Sequence, residues 1–458
     1  MRNHGRQLNE SGFICVRPTI KEAGMNLKRT ILLIVVATLI STFVFAGGAK
    51  EDASKPKEVT LTIYARAYTF AQDAPWEMAK AELQRRHPDI KFTFIEEGFG
   101  WEDMRTKFLT SSAGGTPPDV IMTDIIWLGE FVDNGLLVDL TDRVAKWDEW
   151  DDVVDTYKDA TYWNGRVYGT WLNTDVRVLV WNKDLFRAAG LDPERPPKDW
   201  NELTRMAVQA TNAPSYYGFG FPGTLEDESV MKFYANLFSN GGKILTDDNK
   251  KAAFNSPEGV EAMNALIDLI KVGATPTSIV SGKASDIDNG LFQGKFAMAT
   301  MTKAYGLARD LIPGMNPEEY KKRFGLAPIP HAPGGVPATM SGGYLLSIPT
   351  GSKNQDLAWE LITIAAGAEA QFEYTAARGY VPTFKSLMAR GADYAEVDPY
   401  FSVILDALPS AFFRPSIPEW TEISAEVQNV LQALILGRMD VKEALDLAAR
   451  NVDMILSE

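Results

Sequence analysis

One cysteine, Cys15, and three histidines, His4, His87 and His331, are all that 458 residues supply for thiolate and imidazole chemistry. A single cysteine rules out a disulfide within the chain and a Cys-ligated zinc site. His87 stands in RRHPD, which reads as a solvated helix end, and His331 stands in a Pro-rich turn. A Ser-His-Asp triad built on either is a poor candidate. Basic residues are short as well: 46 Lys and Arg against 60 Asp and Glu give a formal charge of −14, which argues against a broad nucleic-acid-binding face. Only one stretch is long and apolar, Ile31 to Ala46, and its sixteen residues fall short of the ~20 needed to span a bilayer. Repeats, low-complexity tracts and long flexible linkers are absent. So are P-loop, HExxH, GxSxG and EF-hand patterns. What is present is ordinary for a globular protein, 45% hydrophobic and 23% charged, and the length suggests two or three domains.

The apolar run follows Lys28-Arg29 and precedes the small, polar stretch GGAKEDASKPKE. Charged segment, apolar segment and small residues are the parts of a secretory signal. Cleavage is expected after Ala46, with Val44-Phe45-Ala46 recognised, so that the exported chain begins at Gly47. A retained anchor is the alternative and would also face outward. Met25 opens a compact signal by itself, so residues 1–24 are either a misplaced start or an extension to which we assign no role. Cleavage removes Cys15 and six Lys and Arg against two Asp and Glu, leaving a more acidic, thiol-free chain. No cysteine follows the run to carry a lipid.

Beyond the signal the periodicity is mixed. VTLTIYA from Val59 alternates as a strand does; Trp76 to Arg86 has helical spacing and stops at His87-Pro88; Ile90 to Phe94 alternates; Trp101 to Ser112 is helical; Asp119 to Met122 is a short buried strand. This β-α-β-α-β order predicts a parallel sheet covered by helices. Helices are expected at 201–210, 354–365 and through most of 422–456. Another opens at Ser256-Pro257, with Val260, Met263, Ile267 and Ile270 on one face and Gly273 closing it. Strands are expected at 295–300 and 344–348, with a Pro-bounded edge from Phe324.

Two motifs look chemical. Gly218-Phe-Gly220-Phe-Pro-Gly223 matches G-x-G-x-x-G, but Pro222 interrupts it and EDES follows, which is not the strand-to-helix turn of a dinucleotide site. Carboxylates are numerous enough to pair as in a glycosidase, yet most belong to an acidic surface. The aromatic residues say more. Trp101-Glu-Asp, Asp124-Ile-Ile-Trp127 and Trp171-Leu-Asn-Thr-Asp175 set rings beside carboxylates. A ring face suits the C–H face of a sugar, and carboxylates accept its hydroxyl protons.

Four blocks then resemble the maltose-binding-like solute-binding proteins of ATP-driven sugar importers. They are GGTPPDV (114–120) with FVDNGLLVDLTD (131–142), GRVYGTWLNTDVRVLVWNKDLFRAAGL (165–191) with PPKDWNEL, FQGKFAMATM (292–301), and SGGYLLSIPTGSKNQDLAWELITI (341–364). Trp171 and Trp181 depart from the family's Pro and Tyr. The tryptophan usual after GKFAM is missing, Tyr305 being the nearest ring.

The resemblance implies an α/β fold of two lobes joined by crossing hinge segments, the periplasmic-binding-protein fold. One lobe would hold 57–174 plus 345–389 and the other 175–344 plus 390–458. Carried over by motif position, the binding residues would be Asp124 and Trp127 after the PDV strand, Asp175 and Arg177 at the crossing, and Arg66 and Tyr68 after the first strand. Phe219, Phe221 and Tyr305 would stack from the second lobe, Gly343 and Tyr344 would lie at the return crossing, and Arg378 and Trp420 would complete the set. The implied role is capture of a carbohydrate, a di- or oligosaccharide, and its delivery to the membrane permease of an ABC importer. The chain would be an extracytoplasmic monomer without cofactor, metal, nucleic acid or catalysis. An extracellular glycoside hydrolase, a surface adhesion or sensing module, and a binder of a polyol or glycerol phosphate are the alternatives. No basic run occurs that would single out phosphate.

Overall fold

The computed structural model describes residues 56–67 and 74–457. The signal segment, Cys15 and Tyr68 lie outside them. The strands are β1 (Lys57–Arg66), β2 (Ile90–Phe99), β3 (Val120–Asp124), β4 (Tyr162–Trp163), β5 (Arg166–Val167), β6 (Thr170–Val176), β7 (Val178–Asn182), β8 (Tyr217–Gly220), β9 (Phe296–Met301), β10 (Phe324–Ala327), β11 (Thr339–Ser347) and β12 (Ala411–Phe413). β4 and β5 form a small hairpin, and the others make two sheets.

The first sheet runs β12-β11-β3-β1-β2, with β6 along the other edge of β11. β1 and β3 pair in parallel, Ile63 opposite Val120, and helices Ala74–Arg86 and Trp101–Ala113 connect their neighbours, as the βαβ pattern predicts. The second sheet runs β10-β7-β9-β8. Each sheet is covered by helices, the layering of an α/β protein. Buried Leu61, Ile63 and Val120 to Met122 fill the first core, and Leu179, Phe219, Met298 and Phe324 the second.

The chain crosses between the two layers three times. Arg177 alone separates β6 from β7, residues 328–338 separate β10 from β11, and β12 is followed by helices Trp420–Ile435 and Val441–Ile455, which pack on the helices beside the second sheet. The segment VRVLVWNK (176–183) therefore holds the end of one strand and the whole of the next, in two sheets. Pairing also places residues 175–176, 339–344 and 411–413 in the first sheet, where the lobe ranges from sequence assign them to the second.

Local signals act as their chemistry requires. Ser256 Oγ accepts the Gly259 N–H at 3.3 Å and Pro257 fills the first turn. Gly218 packs so closely that a Cβ would lie 1.8 Å from the Ala207 carbonyl oxygen, so the first glycine of the G-x-G-x-x-G match serves helix–strand packing. His87 Nε2 lies 3.0 Å from a Glu360 carboxylate oxygen, joining two helices.

Candidate ligand cavity between the two sheets

A cavity of about 580 Å³ lies where the sheets meet, within the ~300–1,000 Å³ of small-ligand sites. Its walls come from the ends of β1, β3 and β6, from the β11 bend, from the start of helix Glu228–Ser239, and from helices Ala284–Phe292, Ala304–Leu311 and Ala368–Arg378. β3 ends at the cavity with Asp124, consistent with ligand placement at the carboxyl ends of α/β strands. At β11 the register shifts between Tyr344 and Leu345. Gly343 adopts φ +140°, and a Cβ there would meet the Asn173 carbonyl oxygen at 2.3 Å, so only glycine fits this bend. The bend sets Tyr344 in the wall, partly exposed.

Two acid–arginine–acid triads span the crossings. Arg177 Nη1 donates to Asp175 Oδ1 at 2.8 Å, while its Nε and Nη2 grip the Glu228 carboxylate at 3.0 and 2.5 Å. Arg414 Nη1 donates to Asp227 Oδ2, and its Nη2 lies 3.6 Å from Asp124 Oδ1. Asp227 also accepts from Trp420 Nε1 at 3.2 Å and Ser424 Oγ at 2.6 Å. Both triads thus tie the first sheet to adjacent residues at the start of one helix in the second layer. The bidentate grip is the geometry that suits guanidinium to carboxylate. Asp124 accepts the indole N–H of Trp101 at 2.8 Å; burial pushes its carboxyl up, against the pull of Arg414 and that indole.

The opposite rim is closed by backbone and ring contacts. Arg309 Nη2 donates to the Ala377 carbonyl, and the Lys303 amine sits 5.0 Å over the Tyr380 ring. On the second layer's wall, burial raises the Asp288 carboxyl to about 8 and lowers the Lys232 amine to about 7. Among the described residues, seven cationic and seven acidic side chains line the cavity. The basic groups come from separate parts of the chain, from Arg66 to Arg414, so no run in the sequence announces them. With Trp101, Tyr344 and Tyr380, the walls supply donors, acceptors and ring faces. Among the described residues no group of three or more His, Cys, Asp or Glu is placed to hold a metal ion.

Of the residues expected from sequence, Arg66, Asp124, Asp175, Arg177, Gly343, Tyr344 and Arg378 line this cavity. Five others do not. Trp127 is fully buried against Trp101 and Phe131, because the turn Ile125–Trp127 swings its ring into the core. Phe219 and Phe221 pack on each other in the second core. Tyr305, 4% exposed, packs edge-on to Tyr320. Trp420 lies behind the wall and reaches the site only through Asp227. The cavity also holds Trp101, Asp227, Glu228, Lys232, Asp288 and Arg414, which were not expected there. Trp101 alone had a signal, the carboxylates next to it in sequence.

Two helix-covered sheets, three crossings and a polar cavity between them define a two-lobed binding protein. Residues 69–372 match the family described as bacterial extracellular solute-binding protein, and the chain belongs to that family. Its fold and family are those of extracytoplasmic binding proteins. A similar solved structure is the ABC transporter solute-binding protein of Thermotoga lettingae TMO bound with alpha-D-tagatose. It is 27% identical with a TM-score of 0.76, covering 87% of this chain and 100% of that one. The galactooligosaccharide-binding protein of Bacillus subtilis (strain 168) is 25% identical over 81% of this chain and 84% of its own. The sn-glycerol-3-phosphate-binding periplasmic protein of Escherichia coli O6:K15:H31 (strain 536 / UPEC) is 25% identical over 64% and 68%. Among the described residues no helix is long and apolar enough to cross a membrane.

Proposed function

We propose that the protein captures a carbohydrate, a di- or oligosaccharide, in the cavity between its lobes and delivers it to the permease of an ABC importer. The supporting observation is the cavity itself: Trp101 and Tyr344 offer ring faces, and Asp175 and Arg66 offer polar groups, where the two layers meet. A ligand touching both layers favours the closed arrangement by its differential contacts and shifts the population toward it. The protein acts as a monomer, after removal of residues 1–46, and leaves its ligand chemically unchanged. The lobes divide near the Arg177 crossing, the first holding 57–174 plus 345–389 and the second 175–344 plus 390–458, apart from the exchanged strand segments.

A thermal-shift screen of purified protein over mono-, di- and oligosaccharides, with chromatography of the recovered sugar, tests this reading. One or more sugars should raise the melting temperature and be recovered intact. No stabilisation by any sugar, or recovery of cleaved products, contradicts it.

A further inference from the structure

Lys232 lies one helical turn beyond Glu228 in helix Glu228–Ser239 and lines the cavity. It is 4% exposed, and its Nζ has no hydrogen-bond partner among the described residues. Its amine sits 5.7 Å from the Phe219 ring centroid, a contact that supports a cation without neutralising it.

Three carboxylates around this wall, Glu226, Asp227 and Glu228, are already engaged. Glu226 accepts the Ala284 N–H, Asp227 is held by Arg414, Trp420 and Ser424, and Glu228 is gripped by Arg177. The Asp288 carboxyl is raised by burial and by Glu228. Helix Pro257–Lys271 meets the same helix through Asn236, which donates to the Ala262 carbonyl. Helix Trp420–Ile435 contributes Trp420, Ser424 and Gln428, bonded to Asp227 or to one another. Burial alone acts on the Lys232 amine, with no carboxylate drawing it back up. A buried amine of this kind is matched when a bound molecule brings it negative oxygen.

We propose that Lys232 recognises an anionic oxygen on the ligand, so that the preferred solute is an acidic saccharide or a phosphorylated sugar. This rests on the carbohydrate reading above and narrows it. Binding then carries a proton onto the amine, and affinity falls as pH rises above about 7, where the amine is neutral before binding.

The test is calorimetry at pH 8 in two buffers of different ionisation heat, on the wild-type protein and Lys232→Met. Probes are galacturonic acid and digalacturonate against galactose and galactobiose, and glucose 6-phosphate against glucose. At least one acidic probe should bind wild type ~10–100-fold more tightly than its neutral parent, with proton uptake. The uronate and phosphate arms identify the source of the negative oxygen. Lys232→Met should bring that ratio close to one and leave the ligand-free melting temperature unchanged or higher, since a buried unpartnered amine is removed. The inference is overturned if a neutral parent binds as tightly as its acid, if Lys232→Met keeps the acid preference, or if the variant lowers the ligand-free melting temperature. Tight binding of neutral sugars alone overturns this inference and leaves the carbohydrate reading standing. Failure of every saccharide, neutral or acidic, overturns both.

Discussion

Trp127 shows how one turn decides whether an aromatic ring holds a ligand or a core. Its ring is fully buried, 4.9 Å from that of Trp101 and 6.0 Å from that of Phe131. Trp127→Ala should therefore cost folding stability, ~3–5 kcal/mol as for large core truncations, measured by urea unfolding without ligand. A loss of sugar affinity with unchanged stability would instead return the ring to the cavity. The sequence pattern Asp-Ile-Ile-Trp could not separate these cases, because a 3-10 turn and a continued strand end put the ring on different sides with the same spacing. Asp124, three residues earlier, was legible, since the final residue of a central parallel strand reaches the cleft however the following turn runs.

Among the elements, regular periods were readable and long-range polar contacts were not. β1 to β3 and the helices between them follow from alternation and helical spacing within short windows. The triads join Asp124, Asp227 and Arg414, and Asp175, Arg177 and Glu228. Apart from Asp175 and Arg177, their members are far apart in sequence, and no local pattern connects them. All three side chains of the Arg414 triad are at least nine-tenths buried. Arg414→Leu leaves two buried carboxylates without their cation and should cost ~3–5 kcal/mol, read from denaturant midpoints. Adding Asp227→Asn should recover part of that loss, because one stranded charge goes with it. A variant as stable as wild type would show that the triad holds nothing together.

The whole molecule gains its binding capacity from chain crossings. Because β6 continues into β7 across Arg177 and β11 returns to the first sheet, residues from both layers converge on one cavity, and a bound molecule can bridge them. The two-sheet organisation was legible through the βαβ pattern and the four sequence blocks. The cavity's charge balance was not, since it depends on which faces the crossings turn inward. The most direct measurement of the central claim is the affinity of Trp101→Ala for the sugar selected by the thermal-shift screen. Trp101 lines the cavity, partly exposed, with its indole N–H on Asp124. If sugar stacks there, the dissociation constant should rise by ~5–100-fold, as for the loss of a buried aromatic anchor. An unchanged dissociation constant would mean that the sugar binds elsewhere and that this cavity is not the binding site.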